Sequence, residues 1–418
     1  MKKLSLILLS LSLLNATSLK TMLESIENNE QLKAKNYETL SKEETAKSVK
    51  YKYYPSATLQ VGFVSFDYDR YIINPNNLTN VSLAIDALIY DGKRNSNINL
   101  AKKNHELSQI ELEKAKNELE FNLVSLYYSY LALMENIEYK EQNLKYLNAS
   151  LDRLKSLNKV GLKPNDELEI FNAKVELNKS ELNNLNYQKD EILSNIYLIT
   201  NNHFIPTKGS AIIYEDSSNK SYDIKINSLK EEMSELNKDL SLAPFKPTIF
   251  LKNIVGFSKN NFNYSLYSPF DMIIKERVKE KMFSNIFMLG LSWNVFSFGA
   301  DKRAYESAKL SNLAAKEMNI YSKKSVSEKE KLLIQKISFL QEEINANEKL
   351  LNASKIAYES IAKKYEAGLI GYVEYLNSLE TMQGALAKLS LSKAKFEITK
   401  AELLLAKGII IKDFVIDL

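Results

Sequence analysis

The stretch Val160–Ile170, VGLKPNDELEI, is answered 207 residues later by Ala367–Asn377, AGLIGYVEYLN. Each is a Gly-Leu turn with a glutamate six residues after the glycine. Each closes a run of 69 positions, Gly92 to Gly161 and Gly299 to Gly368, with no Gly or Pro in between. The chain has only 11 Gly and 7 Pro in 418 residues, so a repeated turn at a repeated distance marks an internal duplication. Ala101 and Ala308 keep the same offset. Upstream, Pro55 of YYPSATLQVGF matches Pro247 of FKPTIFLKNIV at an offset of 192, which leaves an insertion of 15 in the second copy around NNFNYSLYSPFDMIIKERVKEKM, 260–282. The chain therefore reads as a leader, 1–16, a first repeat, 17–220, and a second repeat, 221–418. Each repeat has a helical lead-in, two strand-like runs, a very long helix, the Gly turn, and a second long helix, Asp166–Thr200 or Tyr372–Lys407.

The long runs are helical by spacing. Leu144, Leu147, Leu151 and Leu154 form one apolar stripe, and Leu333, Ile337, Leu340 and Ile344 another. At about 1.5 Å per residue each run gives a helix of roughly 100 Å, far longer than a globular core needs. A pair of such helices is a rod or a tunnel wall.

The strands bear on that choice. Ala57, Leu59, Val61 and Phe63 alternate with Ser56, Thr58, Gln60 and Gly62; Val81, Leu83, Ile85, Ala87 and Ile89 alternate with Asn80, Ser82, Ala84 and Asp86. In the second repeat Ile249, Leu251, Val255 and Phe257 share a face with Asn253. Phe287, Leu289, Leu291, Trp293 and Val295 oppose Gly290, Ser292 and Asn294. Runs of about 10–12 residues with period two have the length and pattern of membrane β-strands, lipid on one face and water on the other. A half-buried strand of a soluble sandwich shares the pattern. In a membrane, four strands cannot close a barrel and cannot leave their edges open, so chains must pool them. Two chains give eight strands; three give twelve and leave room for a water-filled lumen, which favours three.

Composition narrows the function. Charged residues are 26% and hydrophobic residues 45%, the balance of an ordered protein. The net charge is +4 with Lys matched by Glu along the helices, which argues against nucleic-acid binding. MKKLSLILLSLSLLNA has the basic start and short apolar core of an export signal ending at Ala16. There is no Cys, hence no disulfide and no acylated N-terminal Cys; the two His, His105 and His203, read as surface residues and leave little for a transition metal. No nucleotide loop, nucleophile motif or metal cluster stands out, so neither enzyme nor cofactor is expected.

With these features in place the chain resembles the TolC-type outer-membrane efflux protein family. The likeness covers nearly the whole mature chain and rests on the order of LESIENNEQLKAKN, YYPS and FKPT, LIYDGKR and NVFSFGADKR, LITNN, and the two Gly-Leu turns. The resemblance implies an α+β membrane protein. Long helical hairpins form a periplasmic tunnel, and four transmembrane strands per chain build a 12-stranded barrel in a homotrimer. It implies an exit duct of a tripartite efflux or type I secretion system, working passively with a periplasmic adaptor and an inner-membrane transporter. It also implies that Val160, Gly161, Leu162, Gly368 and Leu369 meet the adaptor. Tyr365, Glu167 and Glu374 then match the periplasmic gate, with a Tyr365 hydroxyl bonded to the Glu167 carboxylate and three Glu374 side chains forming an acidic ring. Two positions depart from the pattern: Ile370 stands where a base is common, and Asn377 where a second acid is common. Lys163 lies near enough to substitute. From the residues alone, an exported coiled-coil adhesin and a periplasmic scaffold stay open, each explaining the helices but not the four amphipathic strands.

Overall fold

A computed structural model describes residues 16–65, 75–214, 221–262 and 281–417. The leader lies outside them except for Ala16, and so does most of the second repeat's insertion. The elements run β1 (Ala16–Thr17), α1 (Leu19–Ser25), α2 (Glu30–Tyr51), β2 (Ser56–Ser65), β3 (Pro75–Tyr90), α3 (Arg94–Lys159), α4 (Asn165–Thr200), β4 (Ile205–Pro206), β5 (Ser210–Ile212), α5 (Tyr222–Leu240), β6 (Thr248–Phe262), β7 (Lys281–Ser292), α6 (Ala300–Glu366), α7 (Tyr372–Lys407) and β8 (Val415–Asp417), with short 3-10 turns between some of them. Both halves thus carry the same order: lead-in helix, two strands, a helix of 66 or 67 residues, and one of 36. The likeness extends to the final caps. Asn201 ends α4 and Gly408 ends α7, both left-handed and again 207 positions apart. No described helix is long and apolar enough to cross a membrane.

The described chain divides into two compact units, each drawing on both halves. One comprises 38–109 and 227–320 and contains the four-stranded sheet, antiparallel in the order β2-β3-β6-β7. The register settles which residues share a face. Leu59, Leu83 and Val255 lie in one row, and Val61, Val81, Phe257 and Phe283 in the next. On the other face Gln60, Ser82, Gly256 and Ser284 form a polar row, and Asp86 pairs with Lys252 at 3.5 Å. One face is mostly apolar, interrupted by Asn253 and Asn285; the other mixes these polar rows with Ala84, Ile254 and Ile286.

Three strand readings need correction. β3 and β6 have 16 and 15 residues, longer than the runs predict, because their tips extend through polar residues whose backbone still pairs. β7 ends at Ser292, so Trp293 and Val295 lie past the strand, in the connection to α6. β3 also carries an irregularity between Leu88 and Tyr90 opposite Phe250 and Ile249, so Ile89 leaves the alternation. His105 is half-buried with an enclosed Nδ1 and is not a plain surface residue; His203 is exposed and stacks on Tyr197.

The second unit comprises the chain up to Tyr37, 110–226 and 321–418. Its main core joins Leu19, Met22, Leu23 and Ile26 of the lead-in to Leu123, Val124 and Tyr127 of α3, Ile196 of α4, Leu404 of α7, and Ile411 and Val415 near the end of the chain. The predicted stripes are inside: Leu147, Leu151 and Leu154 pack with Phe171, Val175 and Leu379, while Leu333 and Ile337 pack with Leu403. Small sheets bound this core, and side chains complete their hydrogen bonds. Among the described residues β5 pairs only with β8, and α7 supplies what a third strand would. Glu397 accepts from the Ile212 N–H at 3.0 Å, and Lys400 donates to the Ile212 carbonyl at 2.6 Å and to Glu397 at 2.7 Å. Asn117 does the same for the final segment, donating to the Ile409 carbonyl at 2.8 Å and accepting from the Ile411 N–H at 3.2 Å.

Lys400→Met leaves a buried carbonyl and the Glu397 carboxylate without their shared donor. It should destabilise this unit by about 3 kcal/mol, read as a lowered denaturant midpoint of the detergent-solubilised protein.

Candidate functional site

The two turns are built alike. α3 runs to Lys159, and the Gly161 N–H bonds the Asn158 carbonyl at 2.9 Å while Leu162 bonds Leu157 at 3.0 Å; α6 runs to Glu366, and Gly368 bonds Tyr365 at 3.0 Å while Leu369 bonds Lys364 at 2.9 Å. This paired pattern is a Schellman cap, which needs a left-handed residue at its centre. Gly161 and Gly368 supply it with φ of 76° and 72°. In most such caps the apolar residue after the glycine packs back on its helix. Here Leu162 and Leu369 remain 71% and 74% exposed, and Val160 is exposed as well. Both turns therefore present a leucine outward. Pro164 and Gly371, equivalent by the duplication, then cap α4 and α7 in extended geometry.

Charge follows the helix dipoles. The outgoing helices end on Lys159 and on Lys363 and Lys364; the returning helices begin with Asp166 and Glu167, and with Glu374. Glu167 and Glu374 occupy the same position in their helices, but their surroundings differ. Glu167 is 4% exposed. Its Oε1 accepts from the Tyr365 hydroxyl at 2.9 Å, and its two oxygens accept from Lys163 Nζ at 3.1 and 2.9 Å. Glu374 is exposed and has no side-chain partner among the described residues. The structure therefore brings Tyr365 and Glu167 together and leaves Glu374 apart.

Tyr365 is held by stacking. Its ring lies 4.9 Å from that of Tyr375 and 6.1 Å from that of Phe171, both within 13° of parallel. Burial, with the bond to Glu167 second, pushes its phenol well above the usual tyrosine range, so the hydroxyl remains a donor. Lys163 Nζ lies 5.7 Å from the centre of the same ring, and Arg153 donates to the Glu366 carbonyl, the last of α6, at 3.0 Å. Tyr358 extends the cluster, its hydroxyl 3.4 Å from that of Tyr375. A cleft of about 690 Å³ opens here, with Tyr146, Arg153, Lys163, Tyr358 and Tyr365 in its wall. Among the described residues no His, Asp and Glu gather in a way that could hold a metal ion.

Lys163 and Ile370 are equivalent by the 207-residue offset, so the base sits on the first turn and not the second. The Lys163–Glu167 spacing of four signals the ion pair, but the intervening Pro164 hides it, because the two residues do not lie on one continuous helix. Arg153 and the Phe171–Tyr375 stack carry no short-range signal at all.

Residues 22–202 match the family model for outer membrane efflux proteins. No curated protein matches the sequence. Among solved structures, the CmeC outer membrane channel of Campylobacter jejuni is similar at a TM-score of 0.79 and 14% identity, over 93% of this chain and 85% of that one. A membrane protein from Pseudomonas aeruginosa is similar at 0.78 and 15%, over 93% of each chain. The outer membrane protein VceC of Vibrio cholerae is similar at 0.75 and 14%, over 93% and 96%. Such identities carry the fold alone. Residues 22–202 thus match the outer membrane efflux protein family by sequence, and the chain as a whole has the fold of these solved structures.

Proposed function

We propose that three copies of the chain form the outer-membrane exit duct of a tripartite efflux or type I secretion system. The observation that carries this reading is the four-stranded sheet. β2 and β7 are its edges, one face is mostly apolar with Asn253 and Asn285 the exceptions in its middle rows, and unpaired backbone groups in lipid cost several kcal/mol each. Three copies joined β7 to β2 close twelve strands and leave the polar face inside. An adhesin or scaffold has no use for such a sheet. The duct is passive, driven by an inner-membrane transporter. Val160, Gly161, Leu162, Gly368 and Leu369 meet a periplasmic adaptor, for which the two exposed leucines supply matching apolar contacts. Tyr365 and Glu167, reinforced by Lys163, hold the periplasmic end closed within each protomer, and three Glu374 carboxylates near the axis favour cations.

The first test is the mass of the detergent-extracted protein from outer-membrane fractions, corrected for bound detergent. A trimer is expected; a stable monomer, or recovery in the soluble fraction alone, rejects the duct. In planar bilayers, Tyr365→Phe keeps the ring stack and removes only the donor to Glu167. Loss of a hydrogen bond to a charged group, about 1.5–3 kcal/mol, should raise the open fraction at least tenfold, and unchanged opening removes this bond from the closure. Glu374→Ala should reduce the preference for cations over anions in reversal-potential measurements; identical selectivity removes Glu374 from the pore.

A further inference from the structure

The distal rim of the sheet carries a pair of charges that the duct does not use. All four strands join helices at one end, near Ser56, Tyr90, Thr248 and Ser292. At the other end the register sets Lys259 of β6 directly against Lys281 of β7, in a row with Phe63 and Thr79. Both lysines lie on the apolar face, two residues beyond the row Val61, Val81, Phe257 and Phe283, and both are exposed. Like charges directly opposite on a sheet destabilise it, with Cβ atoms about 4.5–5.5 Å apart. Among the described residues neither ammonium is paired with a carboxylate. The contrast is Lys252 of the same strand, on the polar face, which has Asp86 directly across from it at 3.5 Å.

The level of this pair matters. From the row Ile249–Leu291 to the row Lys259–Lys281 is ten residues, about 33 Å along a strand. At a tilt of about 40° that rises about 25 Å, the height of the apolar band of an outer-membrane barrel. The lysines thus stand where hydrocarbon ends and headgroups begin, on the outside of the barrel, at the end away from the periplasm. We propose that Lys259 and Lys281 form a site for the phosphate of an outer-leaflet lipid headgroup, one anion bridging two ammonium groups that otherwise repel. This rests on the barrel reading above, which makes the apolar face the lipid face.

The test uses full-length protein extracted and exchanged into a neutral detergent, with a bisphosphorylated glycolipid as probe and its dephosphorylated counterpart as control. Bound lipid per trimer is counted by native mass spectrometry. Near a membrane surface each lysine strengthens anion binding about fivefold, so Lys259→Gln with Lys281→Gln should weaken retention of the phosphorylated lipid roughly 30-fold and leave the control lipid unaffected. Lys252→Gln should leave retention unchanged. Lys281→Glu offers a readout of opposite sign: it creates a cross-strand ion pair, so the trimer should melt higher than wild type in neutral detergent while losing the lipid. Equal retention by wild type and the double variant overturns the site. Thermal protection by millimolar inorganic phosphate equal to that by the glycolipid overturns the lipid assignment in favour of free anion. Recovery of wild type only as a soluble monomer overturns the barrel itself, whereas intact trimers without selective retention overturn the lysine site alone.

Discussion

A β-strand at a sheet edge exposes a row of N–H and C=O groups, and in hydrocarbon nothing replaces the water that would satisfy them. That one constraint organises this protein. The sheet β2-β3-β6-β7 has an apolar face and two free edges, so it is incomplete as a single chain in a membrane. Duplication supplies strands in pairs, and the proposed trimer would supply the rest. The same rule acts on a smaller scale in the other unit. β5 has one strand neighbour, and its other side is met by the Glu397–Lys400 ion pair. In hydrocarbon an edge needs a second backbone; here two side chains close it.

The turns depend on a different balance. A glycine at positive φ, a basic last turn and an acidic first turn recur at both, and these belong to helix termination in any protein. What exceeds that role is the outward Leu162 and Leu369, and the burial of Glu167 where its counterpart Glu374 is exposed. Identical ancestry has been resolved into different environments: the first turn carries the base and a buried acid, the second the tyrosine that reaches across to it.

Much of this was legible in the sequence because its signals are periodic or local. Period two marks the sheet faces, 3-4 spacing marks the buried stripes from Leu147 and Leu333, and the Gly-to-Gly distance marks the hairpins. The Tyr365–Glu167 contact came through family resemblance, since its partners lie 198 residues apart. The illegible parts share a cause. The strand ends of β3 and β6 are held by backbone pairing that polar residues do not advertise, and Ile89 departs from alternation at an irregularity no composition reveals. Asn117 and Lys400 look like ordinary helix residues, yet they complete segments almost 300 and almost 200 residues away.

The main core of the second unit joins Leu19, Met22 and Leu23 to Ile411 and Val415, close to the two limits of the described chain. Contacts of such separation form late, after the loop entropy of nearly the whole polypeptide has been overcome. A growing chain therefore lacks part of this core until residues 411–415 have been made. The contact between residues 19–26 and 411–415 thus also sets the order of events, leaving the lead-in without its full core until late in folding.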